Sequence, residues 1–85
     1  MPVIARFYGI TIQMVFTEDN PPHFYLTYGE FKAKMDIING VFEGIMRKRA
    51  LKFVFEWMEL HKDELLENWK LIENGKAPKL IEPLE

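Results

Sequence analysis

The sequence predicts an α+β fold, a mostly antiparallel sheet of four to five strands followed by two helices packed on one of its faces. Three observations carry that expectation. Up to Gly44 the apolar residues recur with a period near two, in short runs broken by glycine, proline and asparagine. Beyond Gly44 the period changes to 3.6. The connections between the early runs are short, which makes neighbouring strands antiparallel.

Residues 2–8 (PVIARFY) alternate enough to form a first strand, and Gly9 separates them from residues 10–16 (ITIQMVF), where Thr11 and Gln13 stand between apolar positions. The pair reads as a hairpin. TEDNPPH breaks the pattern: Asp19 and Asn20 favour turns, while Pro21 and Pro22 remove amide donors that a central ladder needs. A third strand over residues 23–28 follows, stiffened at its start by the two prolines. Gly29 and Glu30 end it, and residues 31–37 (FKAKMDI) set Lys32, Lys34 and Asp36 between apolar or small residues, as a half-exposed strand does. Asn39-Gly40 is the strongest turn signal, because both residues tolerate the positive φ of a type I′ hairpin. A short fifth strand over residues 41–43 pairs back across it.

On a helical wheel for residues 50–60, Leu51, Phe53, Val54, Phe55, Trp57, Met58 and Leu60 cover an arc of roughly 220°, with Lys52, Glu56 and Glu59 on a narrow stripe. A helix lying on a sheet needs an apolar stripe of only about 100°, so the surplus calls for a second helix, a second subunit or another protein. Residues 63–74 supply a second helix with Leu65, Leu66, Trp69 and Ile72 on one face, turned from the first at His61-Lys62 and stopped by Asn74-Gly75. The proline-rich tail, residues 76–85, offers Leu80 and Ile81 as an edge strand or as docking residues. The expected organisation is one domain over residues 1–85, with a sheet half (1–44), a helical hairpin (45–75) and a tail (76–85).

Composition narrows the chemistry. Hydrophobic residues make up 48% and charged residues 28% of the 85, which is globular rather than disordered usage. There is no cysteine, so neither a disulfide nor a thiolate metal site is available. Serine is absent too, leaving acyl-transfer triads three threonines and nothing else. The five glycines never cluster into a phosphate-cradling loop. His23 and His61 lack a His-x-x-x-His spacing or thiolate companions, so neither a metal nor a cofactor is expected. No basic and apolar leader pattern and no bilayer-length apolar run is present, and the expected compartment is the cytoplasm, without membrane contact. A net charge of −2 argues against a non-specific polyanion binder.

One local basic cluster departs from that balance. Arg47, Lys48, Arg49 and Lys52 crowd the start of the first helix, where cations oppose the helix dipole. An anion, phosphate or acidic segment answers that charge in one reading, and Glu43 or Glu56 answers it in the other. Arg6, Lys32 and Lys34 extend the cluster across the sheet. In a catalytic reading, Arg6, Arg47 and Arg49 hold a scissile phosphate and His23 or a carboxylate moves the proton. The aromatics of the third strand, Tyr25 and Tyr28, and those of the first helix, Phe53, Phe55 and Trp57, are the candidate partner-binding residues.

The stretches MPVIARFYGITIQMVFTEDNPPHF, YGEFKAKMDI and RALKFVFEWMELHKDELLENWKLIENGKAPKLIEPL resemble a family of small bacterial proteins known as domain of unknown function forty-one-sixty, over nearly the whole chain. Members typically carry Pro-Pro-His and a second His two residues later; here His23 is kept and Tyr25 stands in the second place. Pairing of family members with another small conserved domain implies a toxin-antitoxin-like module. The resemblance together with the apolar helix leads to a small cytoplasmic interaction protein, one component of a two-gene module. Its expected partner is a protein encoded nearby or a second copy of itself. The alternatives are a metal-independent ribonuclease-type toxin, with RNA as a less favoured partner, and a non-catalytic homodimer.

Overall fold

The computed structural model describes residues 3–16 and 21–84. They form β1 (Val3–Phe7), β2 (Ile10–Gln13), β3 (His23–Tyr28), β4 (Phe31–Asp36) and β5 (Phe42–Ile45), followed by α1 (Lys48–Leu60) and α2 (Lys62–Glu73). The strands lie in the sheet in chain order, and every neighbouring pair is antiparallel. This is the α+β architecture that the two periods predict. The turn expected at Asp19 and Asn20 lies outside the described residues.

Turn chemistry differs from expectation at one place. Tyr8 and Gly9 join β1 to β2 with φ of 50° and 80°, the two positive values of a type I′ hairpin. Gly29, at φ 61°, leads the two-residue turn between β3 and β4, where Glu30 stays outside the left-handed region, as in type II′. Asn39-Gly40 does not form the type I′ turn: only Gly40 has positive φ, and the β4–β5 connection spans residues 37–41. The cause is Asp36, whose Oδ1 accepts the amides of Ile38 (2.9 Å) and Asn39 (3.1 Å) while Oδ2 accepts Asn39 Nδ2 (3.1 Å). A side-chain carboxylate that satisfies two loop amides makes the wider loop stable. The fifth strand accordingly begins and ends later than expected, at Phe42 and Ile45.

Strand alternation places Ile10, Ile12, Phe24, Leu26, Ala33 and Met35 on a buried face. The opposite face carries Arg6, Thr11, Gln13, Tyr25, Thr27, Lys32 and Lys34, none of them fully buried. α1 covers the apolar face with Ala50, Val54, Trp57 and Met58, and α2 adds Leu65 and Trp69 to the same core. The helix ends as Asn74-Gly75 predicts, since Gly75 (φ 76°) donates to Ile72 and Lys76 donates to Leu71, which is the Schellman pattern.

The tail docks rather than forming a strand. A bulge between Val3 and Ala5 frees the Ile4 carbonyl, which accepts the Ile81 amide at 2.8 Å. Ile81 is buried and Leu80 is exposed. Asn68 of α2 grips the tail backbone from both sides: its Nδ2 donates to the Lys79 carbonyl (2.8 Å) and its Oδ1 accepts the Lys79 amide (2.9 Å). The tail thus meets the β1 edge at Ile4, and the sheet's other edge, β5, is exposed along its whole length.

Candidate functional site

The residues singled out by sequence fall into three separate places. His23 begins β3 at one end of the sheet and is 1% exposed. Its Nδ1 donates to the Pro21 carbonyl at 2.9 Å, a bond that sets the tautomer because a carbonyl only accepts. Its ring packs on Trp69 (5.1 Å between centroids) and edge-on against Tyr25 (5.4 Å). Pro21, His23, Lys34, Asp36, Val41 and Glu43 line a cleft of about 140 Å³, small beside the several hundred Å³ of usual ligand pockets. Burial pushes the Asp36 carboxyl up, but the Asn39 backbone and side chain, the Ile38 amide and nearby His23 together bring it below its ordinary value.

The basic residues gather at the other end. Arg47 precedes α1 as its N-cap, and the first turn of the helix carries no acidic residue. The Arg47 guanidinium lies 5.1 Å from the centre of the Phe31 ring, and that of Arg49 lies 5.9 Å from Phe53. Both arginines border an open depression with Gly9, Tyr28, Gly29 and Phe31. Neither expected carboxylate answers them, because Glu43 pairs with Lys34 (3.7 Å) and Glu56 is in none of the ion pairs among the described residues. Arg6 belongs to the next cross-strand row, with Thr11, Thr27 and Lys32, on the open face.

The four-residue phosphate site of the catalytic reading is therefore not assembled. Phe31 pairs with Tyr28, at the far end of the six-residue strand that His23 begins. At about 3.3 Å per residue the two ends are roughly 16 Å apart. A proton shuttle at His23 and guanidinia at Arg47 and Arg49 cannot meet on one phosphate. His61 is also distant in role, bonded to Glu64 at 2.7 Å, and among the described residues no three His, Asp or Glu side chains cluster as a metal cage would.

The aromatic partner-binding set is dispersed as well. Trp57 is a correction: it is fully buried, packed on Phe7 (5.3 Å) and Phe24 (5.9 Å), with Nε1 donating to the Glu82 carbonyl at 2.8 Å. The tail takes up part of the apolar surplus that suggested an external partner. Phe53 is half-buried under Tyr8, whose ring lies 4.7 Å away. Phe55 is 37% exposed and borders Ile37, Ile38 and Gly40 at the β4–β5 loop. Tyr25 and Tyr28 lie on opposite faces of β3 by strand parity.

Sequence reasoning missed the β5 edge. Ile38, Val41 and Ile45 are more than half exposed there, and Phe42 is 36% exposed. The signal is present in VFEGI, an apolar run beside a glycine at the end of the sheet half. Gly44 has φ 118°, and a Cβ on it would lie 2.6 Å from the Lys32 carbonyl oxygen, so glycine is what lets β5 approach β4. Among the described residues no helix is long and apolar enough to cross a membrane.

Compared with known proteins, residues 9–70 match the family described as Domain of unknown function (DUF4160). No curated protein and no solved structure matches the chain.

Proposed function

The chain belongs to the DUF4160 family, and on that premise we propose that it is a small cytoplasmic protein-interaction module, one component of a two-gene toxin-antitoxin-like pair, whose partner adds a strand to β5. The observation that carries this reading is the asymmetry of the sheet edges. The tail holds the bulged β1 edge at Ile4 through Ile81, whereas β5 is exposed along its length, with Phe42 and Ile45 and the preceding Val41 open to solvent. Natural sheets blunt such edges with charge, proline or a cover, and an open apolar one is a template for strand addition.

The test is titration of the purified chain with the product of the neighbouring gene, followed by light scattering and amide hydrogen exchange. A complex at micromolar concentration that slows exchange at Phe42–Ile45 and is abolished by Ile45→Asp supports the reading. A complex that leaves those amides unprotected, or none at all, overturns it. The homodimer reading makes the same edge protected in the chain alone, at twice its mass.

A further inference from the structure

We propose that the Gly9–Gly29 end of the sheet binds a short segment of single-stranded nucleic acid, with Arg47 and Arg49 on its phosphates and the Tyr8 ring against a base. The site adjoins the end of β5, whose Ile45 precedes Arg47 by two residues, but its test reads nucleic-acid binding and not strand addition, so the two proposals are decided separately.

Charge segregation is the first support. The chain is net negative, yet Arg47 and Arg49 border one depression, while Arg6 and Lys32 lie on the opposite, open face of the sheet. The ion pairs among the described residues are Lys34–Glu43, His61–Glu64 and Lys79–Glu67, so none of these four cations is held by a described carboxylate. Glu30 alone among the residues lining the depression is acidic.

The second support is how the guanidinia are held. A guanidinium lying over an aromatic ring by its face keeps its in-plane N–H donors for an acceptor, in the fork geometry that suits phosphate. The Arg47 guanidinium lies over the Phe31 ring (5.1 Å) and that of Arg49 near the Phe53 ring (5.9 Å), contacts that leave N–H donors on both for an acceptor. Lysine at either position would carry the charge without the fork.

Tyr8 supplies the third. It is a bulky residue in the left-handed region, at φ 50°, where glycine or asparagine fits with less strain. Tyr8 is 51% exposed and its ring rests on Phe53, the ring that Arg49 also contacts. Arg49, Phe53 and Tyr8 form a series of contacts that ends in a half-exposed aromatic residue. Bases stack on aromatic rings with little regard to sequence, and only unpaired bases can reach them. An acidic peptide would satisfy the charge and leave the ring unused.

The test uses the whole chain and four fluorescein-labelled probes: oligouridylate, oligothymidylate, a duplex RNA hairpin and oligoglutamate. Fluorescence anisotropy is expected to show binding of the single strands that weakens with salt. Arg47→Ala combined with Arg49→Ala should reduce the slope of log K against log salt by about 1.4, at roughly 0.7 for each phosphate no longer neutralised. Tyr8→Asn, which keeps a residue tolerant of positive φ, should weaken binding about 5-fold or more with the slope unchanged. A preference for oligouridylate assigns a contact to the 2′-hydroxyl, and parity with oligothymidylate assigns recognition to phosphate and base alone; either supports the site. Should a variant fail to fold, amide shift mapping of the parent with oligouridylate decides, with changes expected at Gly9, Gly29 and Arg47. The proposal is overturned by no single-strand binding at low salt, by equal binding of the hairpin or of oligoglutamate, by an unchanged salt slope in the double variant, or by shifts located elsewhere.

Discussion

Replacing Asn68 by alanine should undock the tail from the helices. Asn68 is 1% exposed and makes a reciprocal pair of hydrogen bonds with the Lys79 backbone, at 2.8 and 2.9 Å. These bonds place Lys79 two residues before Ile81, which is buried and bonded to Ile4, and three before Glu82, whose carbonyl accepts Trp57 Nε1. A net hydrogen bond contributes about 1 kcal/mol, and water can reach part of the exposed Lys79 segment once the amide is gone, so the two bonds together are worth about 2 kcal/mol. Loosening Ile81 raises the loss to about 3 kcal/mol. For a chain of this length each kcal/mol moves the melting temperature by about 4–8 °C, and Asn68→Ala should melt roughly 12–24 °C below the parent. Asn68→Asp sets a carboxylate oxygen against the Lys79 carbonyl in a buried site, and should melt at least as low as Asn68→Ala at pH 7. Hydrogen exchange gives the sharper readout, because the Lys79 and Ile81 amides should lose protection while those of β3 and β4 keep theirs. A melting temperature within about 2 °C of the parent, with both tail amides still protected, would refute the view that Asn68 anchors the tail.

Gly44→Ala should cost about 1–3 kcal/mol, because the residue sits at φ 118° and its new Cβ would stand 2.6 Å from the Lys32 carbonyl oxygen; thermal melting and exchange at Phe42–Ile45 measure it, and an unchanged melting temperature contradicts the close approach. Asp36 has a depressed carboxyl pKa, so the stability its ionised form contributes is complete above the unfolded value near 3.8 and is lost as pH falls through the lower folded value. Asp36→Asn should therefore melt below the parent at pH 7 and converge with it as pH drops below about 4; a gap that stays constant or widens on acidification refutes the assignment.

Much of this architecture follows from sequence alone. The change of period after Gly44 separates sheet from helices, short connections make the strands antiparallel, and Asn74-Gly75 ends α2, because each is decided by residues within a few positions of one another. Even at Asn39-Gly40 the chain turns where local chemistry predicts and differs only in turn type, since the preference for positive φ is outweighed by the Asp36 carboxylate gathering the loop amides. What sequence could not supply is which residues from distant segments meet. Helical periodicity marks Trp57 as apolar, but its burial depends on Phe7, Phe24 and a tail carbonyl 25 residues away. His23 and Arg47 look compatible as residue types and are kept apart by the length of one strand. The β5 edge is open because the tail docks beside β1 and not there, an outcome set by the bulge at Ile4 and the amide of Asn68. Local conformational preference acts over a few residues and is written in the chain. Burial and proximity arise only when the segments pack together.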